Sequence, residues 1–98
     1  MVTVSNLNTM SGKSRVTFEL QAGQGRLVYI AGSFNDWEPG NSQMHYDSVK
    51  KCYILNIDLA PGYYEYKFVI NGEWFLDEAN PNFAANDFGT LNSVVAVN

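Results

Sequence analysis

The amino-acid sequence predicts an all-β chain folded as an immunoglobulin-like antiparallel β-sandwich. Apolar residues recur at period two in short runs bounded by Gly, Pro and Asn, and no stretch sustains helical periodicity. The dipeptide Asn71-Gly72 joins two such runs and is the strongest short hairpin signal a sequence carries. A small barrel is the other architecture open to several short strands at this spacing. With 98 residues the chain holds one domain, large enough to bury a core without a metal or disulfide frame.

Residues 1–13 are expected to be an N-terminal tail and residues 14–98 the domain. The first strand pairs an inward set, Val16, Phe18 and Leu20, with an outward set, Arg15, Thr17 and Glu19, and ends in the turn Gly23-Gln24-Gly25. A second runs from Arg26 to Ala31. Its apolar residues Leu27, Val28, Tyr29 and Ile30 are continuous, as in a strand covered on both faces, and Gly32 ends it. In the third, Tyr53, Leu55, Ile57 and Leu59 alternate with Cys52, Ile54, Asn56 and Asp58 up to Pro61-Gly62. Tyr64, Tyr66, Phe68 and Ile70 then alternate with Tyr63, Glu65, Lys67 and Val69; Glu73 to Leu76 returns after the hairpin, and Ser93 to Val97 is the last strand. Ser33 to Lys50 and Asp77 to Asn92 are expected to be long loops. Structureless loops of about a dozen residues or more in a compact domain are usually functional or disordered, and Trp37, Phe83 and Phe88 argue against disorder here.

Composition narrows the function. The net charge of −4, with no basic cluster beyond Lys50-Lys51, would repel a phosphate backbone, so nucleic acid is not an expected partner. Aromatic residues make up 14% against 16% charged, more flat rings than a small core needs, which puts some of them on the surface. Cys52 is the only cysteine, which excludes an internal disulfide and suggests an inert thiol. Residues 1–13 lack a basic start and apolar run, and no segment reaches transmembrane length, so a cytoplasmic location without membrane contact is expected. No Asn-x-Ser/Thr acceptor sequence occurs.

Catalysis, cofactors and metals find no pattern. His45 is the only histidine, no Gly-x-Ser-x-Gly elbow occurs, and Gly23-Gln24-Gly25 lacks the third glycine of a dinucleotide loop. Asp36, Glu38, Asp77, Glu78 and Asp87 are loop carboxylates with no barrel or deep cleft to hold a pair at fixed separation. One His, one Cys and scattered acids do not make a metal site.

The hairpin does fix a surface. A two-residue loop at Asn71-Gly72 pairs Ile70 with Glu73, Val69 with Trp74 and Phe68 with Phe75. Tyr66, Phe68, Ile70 and Phe75 then form the core side, and Trp74 shares the outer face with Lys67. An exposed indole packs against the axial C–H bonds of a pyranose, while Lys, Asn and Thr meet its hydroxyls. Trp37, on the loop after Gly32, supplies a second indole, and two such platforms can follow a curved α-glucan. The alternative is that one tryptophan is buried between the sheets, as in many sandwiches.

Three ordered motifs carry a resemblance. Gly32-Ser33-Phe34-Asn35-Asp36-Trp37, then Tyr64-Glu65-Tyr66-Lys67-Phe68 with Asn71-Gly72-Glu73-Trp74, then Phe88-Gly89-Thr90-Leu91-Asn92-Ser93 are similar to carbohydrate-binding module family 48, and within it to the glycogen-binding domains of AMP-activated protein kinase β subunits. The resemblance spans about Arg15 to Val97. It implies an immunoglobulin-like (E-set) sandwich that binds glycogen, starch or maltooligosaccharides without cleaving them. It also implies Trp37 and Trp74 as stacking platforms, Lys67 as a hydroxyl donor, and Thr90 and Asn92 as polar sugar contacts. Phe88 stands where the kinase domains have a leucine that enters the glucan ring, a larger and flatter wedge. Family members also serve as docking surfaces of glucan-metabolising enzymes or kinase complexes, so a tethered or associated enzyme is an implied partner. A docking module with little sugar binding of its own is the rival reading, yet a mere scaffold has no reason to keep Trp37, Lys67, Trp74, Thr90 and Asn92 together.

Overall fold

A computed structural model describes residues 1–5 and 12–98. Among the described residues nine strands form two antiparallel sheets: β1 (Val2–Ser5), β2 (Ser14–Leu20), β3 (Val28–Gly32), β4 (His45–Asp47), β5 (Cys52–Leu59), β6 (Gly62–Ile70), β7 (Glu73–Phe75), β8 (Phe83–Ala85) and β9 (Leu91–Val97). One sheet has the order β1-β2-β5-β4; the other has β3-β6-β9-β8, with β7 also paired to β6. This is the immunoglobulin-like sandwich that the alternation predicts. Two short 3₁₀ turns, Ser33–Asn35 and Pro39–Asn41, follow β3.

The inward sets meet between the sheets. Val16 and Phe18 of β2, Val28 and Ile30 of β3, Tyr66 and Phe68 of β6, and Val95 and Val97 of β9 are buried together with Met44, Tyr53 and Leu59. Phe18 meets Tyr66 edge-on with centroids 4.9 Å apart, a geometry that suits the ring quadrupoles. Among the described residues no buried side-chain nitrogen or oxygen lacks a hydrogen-bond partner, and no helix is long and apolar enough to cross a membrane. Cys52 is buried, and burial, with the Glu19 carboxylate 3.6 Å from its sulfur, raises its thiol pKa. The thiol is therefore a poor nucleophile at neutral pH.

Five details differ from the sequence reading. The segment expected as a tail contains β1, which pairs Val2 with Phe18 and Val4 with Val16; four residues are too short a run for alternation to reveal. The strand expected over Arg26 to Ala31 begins at Val28 and includes Gly32. The reason is that side chains capture the backbone before it: Tyr53 Oη accepts from Arg26 N (3.0 Å), and Asn71 Oδ1 accepts from Leu27 N (3.1 Å). The two long loops are partly regular, since β4 lies in one and β8 in the other, and the last strand starts at Leu91 rather than Ser93. Finally, Phe75 pairs with Phe68 on the core side as expected, yet it is 42% exposed. β7 is three residues long and lies at the end of its sheet, where Leu20 and Phe75 both border open clefts. Pairing sets the face a side chain takes, and the extent of the opposing sheet decides whether that face is covered.

Candidate functional site

The hairpin pairing is Ile70 with Glu73, Val69 with Trp74 and Phe68 with Phe75, and Asn71 (φ 50°) and Gly72 (φ 86°) take the left-handed backbone that a two-residue turn of this kind requires. Trp74, 47% exposed, therefore stands on the outer face beside Lys67.

Trp37 reaches the same face by a different device. Gly32 has no room for a side chain: an added Cβ would lie 2.6 Å from the Glu65 carbonyl oxygen and 2.6 Å from the Phe34 ring. This close approach carries the chain over β6 into the Ser33–Asn35 turn. Asn35 then ties the loop to β3, accepting from Gly32 N (2.9 Å) and donating to the Ile30 carbonyl (3.0 Å) and Ser42 Oγ (3.0 Å). Asp36 (φ 55°) and Trp37 (φ 59°) both adopt left-handed backbone, each costing about 1 kcal/mol or more for a non-glycine residue. The bond from Trp37 N to the Gly32 carbonyl (2.9 Å) holds that conformation and leaves the indole half-buried at the sheet surface.

The third component is the hairpin loop between β8 and β9. Asn86 Oδ1 accepts from Phe88 N (2.9 Å) and Thr90 N (3.1 Å), while its amide donates to Thr90 Oγ1 (2.7 Å) and Asn92 Oδ1 (3.0 Å). Lys67 Nζ donates to Thr90 Oγ1 (3.0 Å), and Asn92 Nδ2 donates to Glu65 Oε1 (3.0 Å). A single chain of bonds thus runs Glu65–Asn92–Asn86–Thr90–Lys67. Phe88, 91% exposed, projects from the tip of the loop it closes.

These parts enclose one open groove of about 690 Å³. Trp37, Lys67, Trp74, Phe88, Thr90 and Asn92 all line it, together with Ser33, Glu65, Ala85, Asn86 and Asp87. Neither tryptophan is buried between the sheets, so that alternative is excluded. Of the loop carboxylates, Asp87 borders the groove, whereas Asp77 is buried on the other side of the sheet, accepting from Tyr66 Oη (2.6 Å). Among the described residues no group of three or more His, Cys, Asp or Glu is placed to hold a metal ion. Flat apolar rings around a fixed set of amide, hydroxyl, ammonium and carboxylate groups suit a ligand that presents C–H faces and many hydroxyls at once.

Comparison with known proteins decides the family. Residues 14–98 match the family model described as the glycogen recognition site of AMP-activated protein kinase. The chain belongs to this family. The 5'-AMP-activated protein kinase subunit beta-1 of Sus scrofa is 31% identical over 87 residues, covering 89% of the chain and 67% of that protein. The Homo sapiens beta-1 subunit is 31% identical over 85 residues, 87% of the chain but only 30% of the subunit, and the Mus musculus beta-2 subunit is 30% identical over 73 residues, 74% of the chain and 26% of the subunit. The chain thus spans under a third of the longer curated relatives it matches.

Within the groove, sequence reasoning missed Ser33, Glu65 and Asn86. Signals for two of them exist. Glu65 alternates with Tyr66 on the face of Lys67, and Asn86 two residues before Phe88 is the position from which an Asn side chain closes a turn on its own backbone. Ser33 has no such signal, because its place depends on the bond from Glu65 N to its Oγ (3.1 Å) across two strands.

Proposed function

We propose that this domain binds α-1,4-linked glucans such as glycogen, starch and maltooligosaccharides without cleaving them. The observation that carries the reading is that two indoles, one phenyl ring and the Lys67–Thr90–Asn86–Asn92 network line one open groove. Sugar rings stack on Trp37 and Trp74, Phe88 wedges against the glucan, and Lys67, Thr90 and Asn92 meet its hydroxyls. The domain contributes binding and no catalysis, in a cytoplasmic protein. Electrophoresis through gels containing glycogen, amylopectin or cellulose tests this: retardation by the two α-glucans and not by cellulose is expected, and equal retardation by all three, or by none, overturns it.

The relatives are named as kinase subunits, which favours a second role as the glucan-targeting or docking part of a larger assembly. The Trp74→Ala variant separates the roles, since loss of glycogen retardation without loss of fold belongs to sugar binding alone.

A further inference from the structure

The groove ends at Glu65, but the sheet face does not. Alternation along β6 puts Tyr63 on the face of Glu65 and Lys67, and on β9 Val94 and Ala96 are their cross-strand neighbours, Val94 opposite Glu65 and Ala96 opposite Tyr63. Tyr63 is 80% exposed. The methyl group of Ala96 beside it is too small to cover a phenol ring. The next residue shows what a tyrosine held by the fold looks like: Tyr64 is half-buried, donates its hydroxyl to the Ala60 carbonyl (2.7 Å) and lies 6.3 Å from the Phe34 ring. Tyr63 instead offers an open aromatic face on the same side of the sheet as the two tryptophans.

We propose that Tyr63 is a further stacking subsite, which engages α-glucan chains long enough to leave the groove past Glu65. The inference rests on the glucan reading of the groove. At about 3.3 Å per residue along a strand, Tyr63 is about 13 Å from Lys67 and about 20 Å from the level of Trp74, which pairs with Val69. The surface between them is polar and then shallow: Ser33 and Asn92 flank Glu65, and half-buried Val94 follows. A glucan thus passes from an aromatic platform over hydrogen-bonding groups to a second aromatic platform. A compact cyclic glucan seated at the tryptophans does not reach it; a long linear chain does. The domain therefore discriminates by chain length as well as by linkage.

Titration calorimetry with β-cyclodextrin and with a long linear maltodextrin tests this on the unaltered protein, Tyr63→Ala and Tyr63→Phe. For Tyr63→Ala, maltodextrin affinity is expected to fall about fivefold, with β-cyclodextrin affinity and the urea midpoint unchanged. Tyr63→Phe, which keeps the ring, should behave as the unaltered protein. If the unaltered protein binds both ligands and Tyr63→Ala leaves maltodextrin affinity intact, or weakens both ligands equally, the Tyr63 subsite is overturned while the groove stands. If the unaltered protein binds neither ligand, the groove reading is overturned and the subsite with it.

Discussion

The segment from Asp77 to Ser93 joins β6 in two polar clusters, each knit by side-chain hydrogen bonds, and they lie on opposite faces of one sheet. On the inner side, Tyr66 Oη donates to Asp77 (2.6 Å) and accepts from Asn80 Nδ2 (3.0 Å), Asn80 also donates to the Val94 carbonyl (2.9 Å), and Ser93 Oγ accepts from Asp77 N (2.9 Å). The Met1 ammonium lies 2.9 Å from the other Asp77 oxygen. Burial beside the Asp77 carboxylate drives the Tyr66 hydroxyl far above the usual phenol range, so it stays a donor across the whole physiological range. On the outer side, Asn86, Thr90, Asn92 and Lys67 form the groove network, with Thr90 exposed. The Tyr66, Asp77, Asn80 and Ser93 side chains of the inner cluster are buried, and a missing member leaves buried groups unpaired. The outer cluster opens to solvent. Its Lys67 ammonium carries three donors and gives one to Thr90. The same chemistry holds a loop in place on one face and lines an open groove on the other.

The largest expected effect comes from breaking the inner cluster. Asp77→Ala should destabilise the domain by about 3 kcal/mol, because the buried Tyr66 hydroxyl loses its acceptor. A urea titration measures it, and a midpoint close to that of the unaltered protein would show that water replaces the carboxylate. On the outer face, Trp74→Ala should weaken β-cyclodextrin binding by about 2 kcal/mol, roughly 30-fold, with little change in urea midpoint. Its neighbour sharpens the contrast. Phe75→Ala should cost about 1.5 kcal/mol of stability, well below the 3–5 kcal/mol of a fully buried phenylalanine, because 42% of the residue is already exposed; a loss near 4 kcal/mol would mean that the cleft beside it closes in solution. The smallest effect belongs to Asn86→Ala, which frees the Phe88 loop and should lower glucan affinity by about 1 kcal/mol, with stability changed by no more than that. If Asn86→Ala unfolds the domain, the outer cluster carries the fold as the inner one does, and the distinction between them fails.

Much of this was legible in the sequence where local rules act alone. The Asn71-Gly72 turn admits one register, and from it the outward side of Trp74 and Lys67 follows directly. Alternation located β2, β5 and β6 within a residue or two. Hidden from the sequence were features that depend on a second segment. β1 exists because β2 offers it an edge, Asp77 is buried because Tyr66 and Ser93 reach it across the sheet, and Phe75 is open because the opposing sheet stops short. The hairpin register pointed to Trp74 and Lys67, the loop after Gly32 to Trp37, and the family resemblance implied Phe88, Thr90 and Asn92; the bonds by which Glu65 and Asn86 orient these groups in the groove cross between segments and could not be read from either segment alone.

The chain has two tryptophans, and both line the groove. Its long-wavelength emission therefore originates wholly at the groove, with no indole in the core to contribute a constant background, while the six tyrosines are spread over both faces and the interior. Excited selectively, the two indoles form a built-in optical reporter of whatever occupies the outer face. The tyrosine signal, excited at shorter wavelength, follows the folding of the rest.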